Sequence, residues 1–149
     1  MTAADPDRKV GRSRAVATWL AFVAGTLGLH RFYLYGVGDV LGWLHPWPTL
    51  IGGYGLWRMH EFGVDDARGA ALVLLLGAMI ALAMLQAIVY GLTGDERWVE
   101  RHGPARSARG PAWPTYVAVG LALAIGAAAA MATIAFAAQQ YFEARTDVR

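Results

Sequence analysis

The residue types best suited to chemistry lie together in residues 28–36, which read Gly-Leu-His-Arg-Phe-Tyr-Leu-Tyr-Gly. The guanidinium group of Arg31 matches phosphate geometry, so His30 and Arg31 are candidates for binding an anionic lipid headgroup. The alternative, which we favour, is structural: the polar pair and the aromatic rings Phe32 and Tyr33 anchor a turn at the membrane interface. Asp39 follows Arg31 by eight residues, and we expect the two to form a structural ion pair.

A second polar group, in residues 59–69, contains residue types that bind metals. His60, Glu61, Asp65 and Asp66 do not have a spacing that defines a site, because adjacent residues on a helix point in different directions. We predict a solvated turn there and no metal.

His45 lies in the middle of an apolar stretch, next to Pro46. An ionisable side chain at mid-membrane depth suggests a function, such as a proton relay. We favour a simpler role, in which His45 bonds a carbonyl group freed by Pro46 or Pro48, because Gln86 is the only other polar candidate within an apolar run.

The elements that position these residues are long apolar runs. Only 16% of residues are charged and the mean hydropathy is +0.37, whereas an ordinary soluble domain has about 25% charged residues. We predict an all-α membrane protein with four hydrophobic helical segments, the first two joined by a short turn. The segments are residues 15–29, 37–57, 70–92 and 116–138.

Composition also excludes several function classes. The chain has no cysteine, so it forms no disulfide and no thiolate site. Basic residues flank the apolar runs and do not cluster on a soluble face, so we predict no nucleic-acid binding. We find no familiar catalytic motif, and the polar segments are too short to hold a folded catalytic domain. We therefore predict that the protein is not an enzyme and has no cofactor.

The predicted organisation has four parts. A short, frayed basic arm covers residues 1–14, and a helical hairpin follows over residues 15–62, with its second segment kinked or broken at Pro46/Pro48. A further transmembrane pair covers residues 63–142 and contains a polar loop at 93–115. A polar tail covers residues 143–149. Trp98, with Arg97 and Arg101, suggests a helix along the membrane surface. We find no internal repeat. Small residues are expected where helices pack closely, within one chain or through self-association; the candidates are Gly25, Gly28, Gly52, Gly53, Gly120 and Gly126.

The orientation follows from the distribution of Lys and Arg, which is enriched on the cytoplasmic side. If all four segments cross the membrane, eight basic residues share the side of the N-terminus and five lie opposite. If residues 37–57 re-enter instead, the count is again eight against five. Both alternatives predict a cytoplasmic N-terminus, and we prefer four crossings.

The region around residues 13–62 resembles the TM-two domain family, small membrane proteins built on a two-helix hairpin. Gly25 and Gly28 resemble the family's glycine pair, and residues 30–34, His-Arg-Phe-Tyr-Leu, its central motif. Gly36 arrives one residue late because Tyr35 is inserted, and Leu56-Trp57 followed by Glu61 resembles the closing element, with Glu in place of Asp. The resemblance implies a two-helix hairpin, and bacterial members of the family mostly have no assigned activity.

Together these patterns predict a multi-pass protein of the bacterial inner membrane with a non-catalytic role. We expect a scaffold or accessory subunit that binds lipid or a partner protein through the hairpin motif: His30, Arg31, Phe32, Tyr33 and Asp39. The alternative is a small oligomeric channel or transporter-like protein with a polar path near His45 and Gln86.

Overall fold

The computed structural model describes residues 11–103 and 112–146, which are almost entirely α-helical. Predicted features in residues 1–10, 104–111 and 147–149 lie outside the described residues. Seven α-helices and one 3-10 turn account for the described part: α1 (Arg14–Ala24), the turn Gly25–Leu27, α2 (Leu29–Tyr35), α3 (Val40–Leu44), α4 (Pro46–Phe62), α5 (Ala67–Leu92), α6 (Asp95–His102) and α7 (Trp113–Thr146).

The first apolar segment doubles back on itself. α1 ends in the 3-10 turn, and Gly28, with φ +76°, starts α2 in the opposite direction. The backbone N–H of Ser13, just before α1, donates to Tyr33 Oη near the end of α2 at 2.8 Å. Leu34 also packs against Ala17. The expected single helix over residues 15–29 is therefore wrong, because the glycine turn returns the chain to its starting side.

Helices α3 and α4 follow one another with a single residue between them. His45 separates them but keeps helical angles, φ −61° and ψ −41°, and Pro46 is the first residue of α4. Proline has no N–H, so the carbonyl of Gly42 lacks the donor that a continuous helix would provide. The two helices thus meet at the place where the sequence predicts a kink or break, while the kink itself stays a prediction.

Helix α5 forms the centre of the fold and packs against α1, α4 and α7. The packing residues are small: Ala21, Ala83, Ala87 and Ala122 are at most 2% exposed. Small side chains allow helix backbones to approach closely, which favours packing by shape.

Paired contacts along α5 define the direction of its neighbours. On α4, Gly55 lies against Leu72 and Gly52 against Leu76, so α4 and α5 are antiparallel. On α7, Val119 lies against Gly91 and Thr133 against Gly77, so α7 is also antiparallel to α5.

The segment before α1 packs against α6. Trp98 is 3% exposed, and its Nε1 donates to the carbonyl of Arg12 at 2.7 Å. Arg14 pairs with Asp95 at 3.0 Å. The expectation of a frayed arm is therefore wrong for residues 11–14, and Trp98 points into the bundle, not along a membrane surface.

Within the described residues, two helices are long and apolar enough to cross a membrane by length and composition, which suggests membrane association. They are Ala67–Leu92 and Trp113–Thr146, with mean hydropathies of 2.6 and 2.2 over their most apolar 18 residues. Only 22% and 11% of those windows are buried within the bundle. Most of this apolar surface faces outward, unlike the core helix of a soluble domain.

Candidate functional site

The motif region contains the ion pair expected from the sequence, at the corner between α2 and α3. Arg31 Nε donates to Asp39 Oδ2 at 2.6 Å, and a second guanidinium nitrogen donates to Oδ1 at 3.3 Å. Asp39 also accepts the backbone N–H of Gly42 at 3.0 Å and so caps α3. The same guanidinium lies 5.1 Å from the centre of the Tyr35 ring. These contacts hold Arg31 within the corner.

A second corner, between α4 and α5, has the same construction. Arg58 Nε donates to Asp66 Oδ2 at 2.8 Å, and Asp66 accepts the backbone N–H of Gly69 at 2.8 Å. The Arg58 guanidinium lies 4.9 Å from the Phe62 ring. The Arg58 hydrogen bond holds the pKa of the Asp66 carboxyl below its usual value.

The two corners reveal a repeat in the sequence. Residues 28–42 and 55–69 are identical at seven of fifteen positions: Gly, Leu, Arg, Gly, Val, Asp and Gly, at a constant offset of 27. In each copy the glycine five residues after the arginine has a positive φ, 87° at Gly36 and 92° at Gly63. Our expectation that the chain contains no internal repeat was wrong. Comparing the spacing Arg-x4-Gly-x2-Asp-x2-Gly along the chain would have found it.

The remaining motif residues pack inside the molecule. His30 has no exposed surface, so it presents no atom to a lipid headgroup or a partner, and that prediction is wrong for this residue. The Phe32 ring lies 5.1 Å from the Trp43 ring. Tyr33 accepts a hydrogen bond from Ser13 and lies under the Arg12 guanidinium, 5.4 Å from ring centre to Cζ. The motif fixes α2 against its neighbours.

The structure places four of the six selected glycines against another helix or turn. A Cβ at Gly25 would meet Ala83 at 2.8 Å, one at Gly126 would meet Met84 at 2.7 Å, and one at Gly52 would overlap Leu76. Gly28 lies against the carbonyl of Gly42. Gly53 and Gly120 face open space, with no described atom within 4 Å of an added Cβ, so they do not pack against another element in the described part of the chain. Gly55, which the sequence also places in the glycine-rich stretch with Gly52, packs against Leu72, and the packing glycines that sequence reasoning missed are Gly42, Gly69, Gly77 and Gly91.

Two breaks in helical structure face each other at the centre of the hairpin. The Thr49 hydroxyl of α4 donates to the carbonyl of Thr26 in the 3-10 turn at 2.8 Å. A Cβ on Gly28 would lie 3.0 Å from the Cβ of His45. Such breaks are common at binding sites in membrane proteins because they expose polar backbone groups at depth.

A cluster of polar side chains, which we call the imidazole cluster, lies beside these breaks and consists of the buried His30 and the half-buried His45 and Gln86. The two imidazole rings are 5.6 Å apart, centre to centre. Gln86 lies beside His30 but outside hydrogen-bonding geometry. His45 Nδ1 bonds the carbonyl of Leu41 at 2.7 Å. That carbonyl is in the preceding turn and is not one freed by Pro46 or Pro48, which would be those of Gly42 and Leu44.

Three of the four residues of the acidic turn have the solvated character that we expected, whereas Asp66 is partly buried against Arg58. His60, Glu61 and Asp65 are exposed. Within residues 11–103 and 112–146, no group of three His, Asp or Glu side chains is arranged to hold a metal ion.

Comparison with protein families, with characterised proteins and with solved structures finds no match. The likeness to the TM-two domain family therefore rests on the motif residues alone.

Proposed function

We propose that the protein is a multi-pass integral membrane protein with a non-catalytic, structural role, acting as a scaffold or accessory subunit. One observation carries this proposal: the apolar windows of α5 and α7 are only 22% and 11% buried within the bundle. Leaving so much apolar surface in water would be costly, at roughly 25 cal/mol per Å². Lipid is the solvent that removes this cost.

The antiparallel contacts support three crossings and one re-entrant element. α3 and α4 together span residues 40–62, about 34 Å at 1.5 Å per residue, which is enough to cross the apolar core. α5 and α7 supply the other crossings. α1 and α2 enter and return on one side, because both ends of this pair lie together. This arrangement replaces the four crossings that we preferred from the sequence.

With this topology, the basic residues are divided more unequally between the two sides of the membrane than with four crossings. The segments before α3 and between α5 and α7 would share one side and contain nine of the thirteen Lys and Arg residues. The turn between α4 and α5 and the C-terminal end contain the other four, Arg58, Arg68, Arg145 and Arg149. The first group includes the N-terminus, so the rule that basic loops stay inside favours a cytoplasmic N-terminus at the inner membrane.

Exposed aromatic residues occur near both ends of the crossing helices. Trp43 and Trp57 are 60% and 52% exposed near opposite ends of the α3–α4 pair. Trp113 and Phe142 are 64% and 66% exposed towards opposite ends of α7. Aromatic rings favour the two membrane interfaces. Because the motif residues point inward, we assign lipid and partner contacts to these outward faces.

Two measurements test this proposal. The full chain should stay in the membrane pellet after alkaline carbonate extraction, and release of folded protein would contradict membrane integration. Purified protein in liposomes should give no ion flux above that of empty liposomes. Flux in the wild type that disappears in a His45→Ala variant would contradict a purely structural role.

The second candidate is a small oligomeric channel or transporter-like protein. The facing helix breaks and the imidazole cluster favour it, because discontinuous helices with polar groups at depth line solute paths in several transporter folds. Three crossings per chain are few for a pore, so this function requires association of several copies. The same flux assay separates the two candidates.

A further inference from the structure

Four of the five buried side-chain nitrogen and oxygen atoms that lack a hydrogen-bond partner among the described residues belong to the imidazole cluster. Both ring nitrogens of His30, Nε2 of His45 and Oε1 of Gln86 are buried without a hydrogen-bond partner in the described part of the chain. Buried polar groups are almost always paired, with protein or with an ordered water molecule. Four such atoms in and around the fully buried ring of His30 therefore point to a bound molecule or ion at this place, which we call the guest.

The hydrogen bond of His45 determines which donors and acceptors the cluster presents to that guest. The carbonyl of Leu41 can only accept, so His45 Nδ1 donates to it. The other ring nitrogen, Nε2, then carries a lone pair in the neutral imidazole. Oε1 of Gln86 is also an acceptor, whereas neutral His30 offers one N–H and one lone pair. The cluster presents three acceptors and one donor.

A metal ion is one guest that accepts lone pairs, and a carbonyl bond to the distal nitrogen is typical of metal-binding histidines. The lack of a negatively charged ligand argues against a metal ion. His30, His45 and Gln86 are neutral ligands, and Asp39, the carboxylate near His30, is already paired with Arg31. A cation there would enter a buried site without a compensating charge, which is strongly unfavourable.

We propose that the imidazole cluster is a binding site for an ordered water molecule that joins α2, the His45 break and α5. One water can donate to His45 Nε2 and to Gln86 Oε1 while it accepts from the N–H of His30. Buried waters typically make about three such bonds. This proposal does not depend on the structural role proposed above, since the site can hold water with or without solute flux.

The direct test is water-edited solid-state NMR on the full chain in lipid bilayers, labelled at His and Ala. Magnetisation from water should reach the His30 and His45 rings early, as it reaches the exposed ring of His60. The methyl groups of Ala83 and Ala87, in the dry core, are the matched negative control. Imidazole signals that rise as slowly as these methyl groups would overturn the proposal.

Variants give a second readout that does not require the site to be seen directly. If water satisfies the cluster, His45→Leu lowers the unfolding midpoint because it leaves the other groups with fewer partners. The triple variant His30→Leu, His45→Leu, Gln86→Leu then loses less than the sum of its single changes. A midpoint that rises in each single variant would overturn the proposal. So would Zn²⁺ or Cu⁺ that raises the midpoint of the chelator-treated wild type but not of His45→Leu, because it identifies a metal guest.

Discussion

Replacement of Gly28 by alanine should weaken the fold more than any similar change on an outward face. Gly28 has φ +76°, a conformation that costs an L-residue roughly 1–2 kcal/mol. Its added Cβ would also overlap the carbonyl oxygen of Gly42 and lie 3.0 Å from the Cβ of His45. Overpacking of this kind typically costs about 1–3 kcal/mol. Together the two effects predict a loss of roughly 2–5 kcal/mol for Gly28→Ala.

Gly53→Ala is the matched control, because it is the same substitution in the same hairpin. Gly53 is helical and has no described atom within 4 Å of an added Cβ. Alanine favours a helix over glycine by about 1 kcal/mol, so Gly53→Ala should be neutral or slightly stabilising.

The assay is reversible unfolding of the full chain in mixed micelles by increasing SDS, followed by tryptophan fluorescence and circular dichroism. We expect opposite shifts of the unfolding midpoint for the two variants. If Gly28→Ala unfolds within experimental error of Gly53→Ala, the two helix breaks do not meet as described, and the account of the imidazole cluster fails with them.

The remaining predictions concern the α6 contact and the two corners. Trp98→Ala should lower the free energy of unfolding by about 3–5 kcal/mol, as removal of a buried tryptophan does. Trp98→Phe should lose mainly the hydrogen bond to Arg12, at about 1 kcal/mol. Equal losses in the two variants would contradict the packing of α6. Asp39→Asn and Asp66→Asn keep a capping residue but remove the charge, so each should lower the unfolding midpoint. The double variant should show the sum of the two losses, because the corners lie at opposite ends of the α3–α4 pair. A double-variant loss that differs strongly from this sum would argue against separate corners. The hydrogen bond from Arg58 lowers the pKa of Asp66, so its contribution to stability is fully present above the ordinary carboxyl pKa and is lost as pH falls from that value through the lower pKa of the folded state. A pH titration of unfolding in Asp66→Asn should lack this slope.

Local chemistry made parts of the structure predictable. The charge spacing between Arg31 and Asp39 correctly indicated their ion pair, and the uncharged length of residues 70–92 indicated a long apolar helix that the structure places at Ala67–Leu92. These features depend on residues close in the chain, so pattern and spacing determine them.

Other features depend on contacts between distant elements. The return of α2 along α1 follows from Gly28 and from the bond between Ser13 and Tyr33, twenty residues apart, which no periodicity shows. Burial of Trp98 depends on Arg12, 86 residues away. The imidazole cluster likewise needs three helices to meet, so His30 looked like a surface residue until the turn at Gly28 placed it inside.

Cysteine accessibility tests most directly whether lipid surrounds the apolar helices. The chain has no cysteine, so each single-cysteine variant has only the introduced thiol. Leu85 and Leu123 point outward from α5 and α7 and are 55% and 59% exposed. In sealed native membranes, Leu85→Cys and Leu123→Cys should not react with a water-soluble maleimide until SDS is added. Glu96→Cys and Glu143→Cys, at exposed helix ends, are the reactive controls once both membrane faces are accessible. Labelling of Leu85→Cys as rapid as that of Glu96→Cys in the folded protein would show that water, not lipid, surrounds these helices.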